Sequence, residues 1–289
     1  MPPPLILSEA HAFEFECRGP QKGKVRGSGC LEASRRWQPI FSGHSRGKAQ
    51  DCKPCHLDDT SAHLLTYMTG YSYRFLEFTN ILRFGLRCPK KFQRIFVRPR
   101  DVQYNLLSAE FKKAHGYTLK SSRNPVNDKD WSPFVEPLDR SPRIERVKWK
   151  VTSGLSWKDV GEYALMMRKI ESRGRADGCS GLEDLDHRYA VLDDLIESCR
   201  QTGTLKDQSE LGGSFREKGG IDVAIDDLGR LVMAGGGYHR LGISQALDLK
   251  VIPVALVAIH RQCLHNGIWD RVLQESKANQ GHIDHRIRT

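Results

Sequence analysis

The chain has 289 residues, 39% of them hydrophobic and 28% charged, with 45 Lys and Arg against 35 Asp and Glu. At ~150 residues per domain that is one or two domains, apolar enough to bury a core. No apolar run reaches the ~18 residues of a transmembrane helix, so no membrane span is expected.

Met1 to Leu7 has neither a basic start nor a long apolar stretch. No signal peptide is expected, and the compartment is expected to be cytoplasmic. The eight cysteines are then expected as reduced thiols.

The positive excess is concentrated. Residues 61–150 hold 18 basic and 8 acidic side chains, an excess equal to the +10 of the whole chain. Residues 151–230 hold 11 basic and 16 acidic ones. A basic surface can meet nucleic acid, anionic lipid headgroups or a polyanionic substrate. No helix-turn-helix or RNA-binding motif accompanies the charge, and a solvated basic face is the plainer reading.

Residues 1–60 lack a sustained apolar period and are expected to be a poorly structured extension. They contain Cys52-Lys-Pro-Cys55-His56, which invites a zinc or redox reading. A structural zinc site needs four ligands, and Cys30 and Cys88 are single and distant. From Leu64 to Leu82, apolar residues recur at near-helical spacing and predict one helix or two short ones, ending near Gly85. That spacing makes Tyr73, Phe75 and Phe78 core residues in preference to base-stacking ones.

Arg94 to Arg98 reads as a short strand before Pro99. Residues 115–142, rich in Ser, Asn, Asp and Pro, read as a long loop. Ser156-Trp-Lys-Asp159 resembles a capping box, with Val160, Tyr163, Ala164, Met167 and Ile170 following on one helical face. Leu185, Tyr189, Leu192, Ile196 and Cys199 mark a second helix, stopped near Gly203. Ile221, Val223 and Ile225 alternate as a strand, Asp226 to Gly229 form a turn, and Leu231 to Met233 return. Three glycines precede a short helix from about Tyr238 to Asp248. Val251 to Ile259 is an apolar strand with Pro253 near its start. His282 and His285 read as part of a polar tail.

The run Met233-Ala-Gly-Gly-Gly-Tyr-His-Arg-Leu241 carries the most chemistry. Glycines permit positive φ and close approach to the main chain. The free N–H groups of a helix start favour an anion. Arg240 can add a bidentate phosphate contact and His239 a further donor. The run lacks the Gly-Lys-Ser/Thr ending of a Walker loop. A plain hairpin-to-helix turn with a surface arginine explains the residues equally well.

Gly236-Gly-Tyr-His-Arg240, the helix ending in Leu247-Asp-Leu-Lys250, and Val251-Ile-Pro-Val254 resemble the ParB/sulfiredoxin-like superfamily. The helix from Leu192 to Gly203 is similar to its leading helix. The arrangement looks closest to uncharacterised bacterial ParB-like proteins met beside surface-polysaccharide genes. Those share an Arg-Ile-x-Val-x-Pro-Arg segment (Arg94 to Arg100) and a Phe-Arg-Glu-x-Gly-Gly segment (Phe215 to Gly220). The resemblance implies an α/β fold, with a compact ParB/sulfiredoxin-like domain at 151–265. A basic α+β segment at 61–150 would precede it and a tail at 266–289 would follow.

The resemblance also implies a nucleotide site for ATP or CTP, with Mg²⁺ as a companion. Gly235, Gly236 and Gly237 would admit the phosphates, and Tyr238, His239, Arg240 and Arg188 would line them. Phosphoryl transfer to a small hydroxyl compound, or nucleotide hydrolysis, needs a carboxylate. Glu183, Asp184 and Asp186 stand in the right region, although Asp184 and Asp186 diverge by ~200° on a helix. Acidic residues are also simply favoured in a first helical turn. Tyr238 stands where sulfiredoxins carry their cysteine, so sulfinic-acid repair is not expected and a binding role is. The alternatives are a non-enzymatic nucleic-acid binder using residues 83–150 and an inactive scaffold of the same fold.

Overall fold

The computed structural model describes residues 73–213 and 215–287. The expected extension at 1–60, the Cys52–His56 run, the apolar series before Tyr73 and the side chains of His282 and His285 lie outside the described residues. The fold is α/β. One mixed sheet has the order β1 (Gln93–Val97), β7 (Ile252–His260), β5 (Asp222–Ile225), β6 (Leu231–Met233), β2 (Val102–Leu106) and β4 (Val135–Pro137), with β3 (Val126–Asn127) pairing with β7 off that path.

Its longest strand is β7 (Ile252–His260), nine residues rich in β-branched side chains and buried almost throughout. It runs antiparallel to β1 (Gln93–Val97) and parallel to β5 (Asp222–Ile225) and β3 (Val126–Asn127). A hairpin joins β5 to β6 (Leu231–Met233), which runs parallel to β2 (Val102–Leu106). β4 (Val135–Pro137) closes the far edge antiparallel to β2. Pro253 sits opposite Phe96, and β5 begins pairing only at Ala255, so its missing N–H interrupts no ladder.

Eight helices surround the sheet among the described residues: α1 (residues 73–84), α2 (Ser108–His115), α3 (Pro142–Ser153), α4 (Glu162–Arg173), α5 (Leu182–Thr202), α6 (Tyr238–Ala246), α7 (Gln262–His265) and α8 (Ile268–Ile287). One sheet face packs Ile95, Val223, Val254 and Leu256 against Leu241 of α6 and Trp269 of α8. The other packs Ala224, Val232 and Ala255 against Phe111 of α2 and the loop residues Leu119 and Trp131. A helical layer then gathers Val147, Met166, Leu185, Tyr189 and Ile243 from α3 to α6. Gly242 lets α3 and α6 approach closely, since a Cβ there would stand 2.8 Å from Val147 Cγ1.

Several expectations change. Strands from both sides of residue 150 share one sheet, so residues 93–137 and 222–260 belong to one folded body. Five basic side chains of the 61–150 stretch pair with acids of the 151–265 stretch. Arg94 meets Asp207, Lys120 meets Asp222 (2.5 Å), Arg143 meets Asp177 (2.6 Å), Arg146 meets Glu162 (2.8 Å) and Lys150 meets Asp193 (3.1 Å). The expected loop at 115–142 contains β3 and β4 and buries Leu119, Trp131 and Leu138. The expected tail at 266–289 is largely α8, which covers the open edge of β1. Phe96 N–H donates to Ser276 Oγ, and Asn279 Nδ2 donates to the Phe96 carbonyl, both at 2.9 Å.

The capping box forms only locally. Ser156 and Asp159 exchange hydrogen bonds of 2.6 to 3.2 Å. Gly161, at φ +79°, then turns the chain, and α4 starts at Glu162. Phe75 and Phe78 are not core: they are 67% and 57% exposed.

Candidate functional site

Between α5 and α6 lies a cleft of about 520 Å³. Three pieces of chain build it. The first is a tight Asp177-Gly178 turn, with both residues at positive φ, closed by a bridge between Ala176 and Cys179. The second is the first half of α5, which contributes Asp184, His187, Arg188, Val191 and Leu192. The third is the start of α6, with Gly237, His239 and Arg240, and Gly219 from the loop before β5 adds to the lining.

Gly237 fixes the entry to α6. It holds φ +96°, and a Cβ there would stand 2.6 Å from Ile221 Cα. No side chain caps this helix. The N–H groups of its first turn therefore remain available to an outside acceptor.

His239 is 5% exposed, with Trp157 and Tyr189 edge-on at 5.8 and 6.3 Å. Burial first, then the positive charges of Arg143 and Arg188, pull its pKa down to about 3. It stands neutral at pH 7, where it can serve as a neutral hydrogen-bonding group. Its Nε2 is buried and has no hydrogen-bond partner among the described residues. The Nε of Arg188 is in the same condition. The rest of that guanidinium holds the Asp177 carbonyl at 3.1 Å and lies 3.7 Å from the Asp177 carboxylate. Arg240 donates to the Lys206 carbonyl. Burial weakens its hold on its proton, and nearby Glu217 offsets this.

The expected residues divide. Gly237, His239, Arg240, Arg188 and Asp184 meet in this one cleft. Asp184 Oδ2 accepts from the N–H and hydroxyl of Ser180 at 2.7 and 2.6 Å, which holds its pKa low. Asp186 lies across α5, in a separate depression lined by Trp157, Tyr163 and Tyr189, and accepts from Tyr163 Oη at 2.6 Å. Glu183 is exposed and does not line the cleft.

Tyr238 turns the other way. Its hydroxyl donates to Asn105 Oδ1 at 2.6 Å, and its ring packs against the main core. Gly235 and Gly236 serve a buried carboxylate. The Gly236 N–H donates to Asp222 Oδ2 at 2.6 Å, and Lys120 Nζ reaches the same oxygen at 2.5 Å. A Cβ at Gly235 would stand 2.5 Å from that oxygen. Only the last of the three glycines opens on the cleft.

Sequence reasoning passed over Asp177, Cys179 and His187. The Asp-Gly pair was the available signal for the first two, since it favours a tight positive-φ turn. The two segments singled out at Arg94–Arg100 and Phe215–Gly220 lie side by side. Glu217 N–H donates to the Phe92 carbonyl, and its fully buried carboxylate is 3.8 Å from Arg94 Nε.

No group of three or more His, Cys, Asp or Glu side chains placed to hold a metal occurs among the described residues. Asp177 is paired with Arg143 and Arg188, and Asp184 with Ser180. A Mg²⁺ ion would need the ligand's own phosphates to complete its shell. Comparison with protein-family models, with curated proteins and with solved structures gave no match.

Proposed function

We propose that the protein binds the phosphate groups of a small molecule in the cleft between α5 and α6, a nucleotide such as ATP or CTP being the leading candidate. The observation that carries the reading is a pair of buried nitrogens without partners among the described residues, His239 Nε2 and Arg188 Nε, on two residues that line a cleft at an uncapped helix start. Buried polar atoms without partners are rare, and a bound anion would satisfy both. The helix dipole and Arg240 act in the same direction. The similarity of the Gly236–Arg240 run to the ParB/sulfiredoxin-like superfamily favours a nucleotide over other phosphates.

Binding is better supported than turnover. Of the three carboxylates expected to serve a phosphoryl acceptor, Asp184 alone lines the cleft. Its Oδ2 is taken up by Ser180, and those hydrogen bonds hold its pKa low and make it a weak base toward a hydroxyl group. Mg²⁺ would screen the phosphates against Asp177 and Asp184. The nucleic-acid reading of residues 83–150 draws less support, because Arg94, Lys120, Arg143, Arg146 and Lys150 are committed to internal ion pairs.

Thermal denaturation with ATP, CTP and pyrophosphate, with and without Mg²⁺, tests the proposal. At a hundred times its Kd a ligand stabilises by about 2.7 kcal/mol. Arg188→Gln and Arg240→Gln should each remove most of that shift while leaving a cooperative transition. A shift unchanged in both variants, or absent with every phosphate compound, would sink the proposal.

A further inference from the structure

Helix α1 carries two apolar faces. One turns to the body of the protein, where Tyr73 stacks on Phe215 at 5.5 Å and Asn80 Nδ2 donates to Asn124 Oδ1 at 2.8 Å. The other consists of Phe75, Phe78 and Leu82, continued past Gly85 by Leu86. These are 67%, 57%, 71% and 87% exposed. At 100° per residue the three helical positions fall within about 60° of arc. Arg74 flanks the stripe on one side and Arg83 on the other.

The charge around the stripe is mainly positive, with Asp128 in the same depression as Arg83. Arg74, Arg83 and Lys90 are exposed and take part in no ion pair among the described residues. Arg87 is 3.3 Å from Asp270 at the surface. The single acid of the helix, Glu77, is held by both terminal nitrogens of Arg216 at 2.6 and 2.8 Å. Four large apolar side chains rimmed by cations form a surface that water solvates poorly.

We propose that this face docks on an anionic lipid surface. Phe75, Phe78, Leu82 and Leu86 would enter the boundary between headgroups and acyl chains, with Arg74, Arg83 and Lys90 on lipid phosphates. The charge pattern selects this occupant. A second copy related by a two-fold axis would bring two arginine rims together. A nucleic acid would pair with the arginines but leave Leu82 and Leu86 without an apolar partner. A bilayer matches both components at once.

Co-sedimentation of the full chain with phospholipid vesicles tests it. One set is phosphatidylcholine alone, and the other contains about 30% phosphatidylglycerol, enough to give a negative surface potential. The chain should pellet with the anionic vesicles at low salt, release as salt rises, and ignore the neutral ones. A Phe78→Ser, Leu82→Ser pair and an Arg74→Glu, Arg83→Glu pair should each cut partitioning by about tenfold or more, since both apolar area and charge hold such a helix. All four positions are exposed, so the melting temperature should stay within a few degrees of the parent. No binding to anionic vesicles overturns the proposal, as does binding that either pair leaves intact. A concentration-dependent doubling of mass that the Phe78 and Leu82 changes abolish would assign the stripe to a second copy instead. Duplex DNA retention lost with the arginine changes, without vesicle binding, would assign it to nucleic acid.

Discussion

Acidification should expose the buried imidazole. His239 is lowered to about 3 in the folded protein, against 6.5 for an ordinary histidine. The folded state therefore binds fewer protons than the unfolded state between those values, and stability must fall as pH drops through that window. At pH 5 the unfolded imidazole is almost fully protonated and the folded one almost fully neutral. The difference, about 1.5 pH units at ~1.4 kcal/mol each, is roughly 2 kcal/mol of stability lost relative to pH 7. For a body of this size that is about 4–8 °C in melting temperature. His239 is 5% exposed, so solvent screening takes little from this figure.

An anion reverses the sign. The groups facing His239 are Arg143 and Arg146 from α3, Arg188 from α5 and the Asp177 carboxylate from the tight turn. Burial holds the imidazole neutral, and the cations, which outnumber the acid, act in the same direction. A bound dianion would supply the missing negative charge and let Nε2 protonate and donate. Sulfate is the suitable probe, because it does not itself titrate between pH 5 and 7. Its stabilisation should grow as pH falls over this range. His239→Gln should recover most of the acid loss and make the sulfate effect nearly independent of pH. The reasoning fails if that variant and the parent lose equal stability from pH 7 to 5, or if sulfate protects the parent less at pH 5 than at pH 7.

The remaining expectations concern positions outside the cleft or beneath it. Tyr238→Phe should cost about 0.5–1.5 kcal/mol, the worth of the hydrogen bond to Asn105, and leave anion affinity unchanged by titration calorimetry. Gly237→Ala combines a positive φ with a Cβ 2.6 Å from Ile221 Cα and should destabilise by about 1–3 kcal/mol or more in urea denaturation. Lys91 is fully buried, donates to the Leu119 and Val257 carbonyls at 2.7 and 2.6 Å, and is lowered by burial to about 7. Its folded value lies below the unfolded 10.5, so stability should rise from pH 7 toward 10, a gain that Lys91→Met should lose in matched thermal melts.

The legible part of the fold is the part whose pattern is strictly local. β5, β6, α5, α6 and β7 announce themselves through alternation, helical spacing and glycine stops, and the structure has each within three residues of its expected start. Elements stabilised by distant partners were harder to read. In α3, Ile144, Val147 and Val151 make a proper buried stripe, but Arg143, Arg146, Lys148 and Lys150 hide it in what reads as a basic segment. The stems and charges of Arg143, Arg146 and Lys150 turn out to be matched to acids on the turn, α4 and α5, which no local window contains. α8 is similar: Ser276 is buried because β1 has an open edge there and Trp269 because a sheet face lies under it, properties of the sheet and not of the helix. Phe75 and Phe78 fail in the opposite sense, since helical spacing identifies a face without saying what lies opposite it.

The three glycines illustrate how one run can serve two purposes. Gly235 is required by the protein itself, because the turn wraps the buried Asp222 carboxylate and leaves no room for a Cβ there, and Gly236 gives its N–H to the same carboxylate. Asp222 is itself held by Lys120, with Lys91 close enough to feel its charge. The turn is thus shaped by an internal anion before any ligand arrives, and a glycine run by itself is weak grounds for a phosphate site. What points outward is the residue after each constraint ends. Gly237 releases the chain into an uncapped helix, and His239 and Arg240 follow at its second and third positions. Asp222 satisfies the N–H of Gly236 and stops there, while the Nε2 of His239, a residue lining the adjoining cleft, has no partner among the described residues. The internal carboxylate therefore does not compete with a ligand for the helix start. It holds the glycine turn in the shape that keeps that start open.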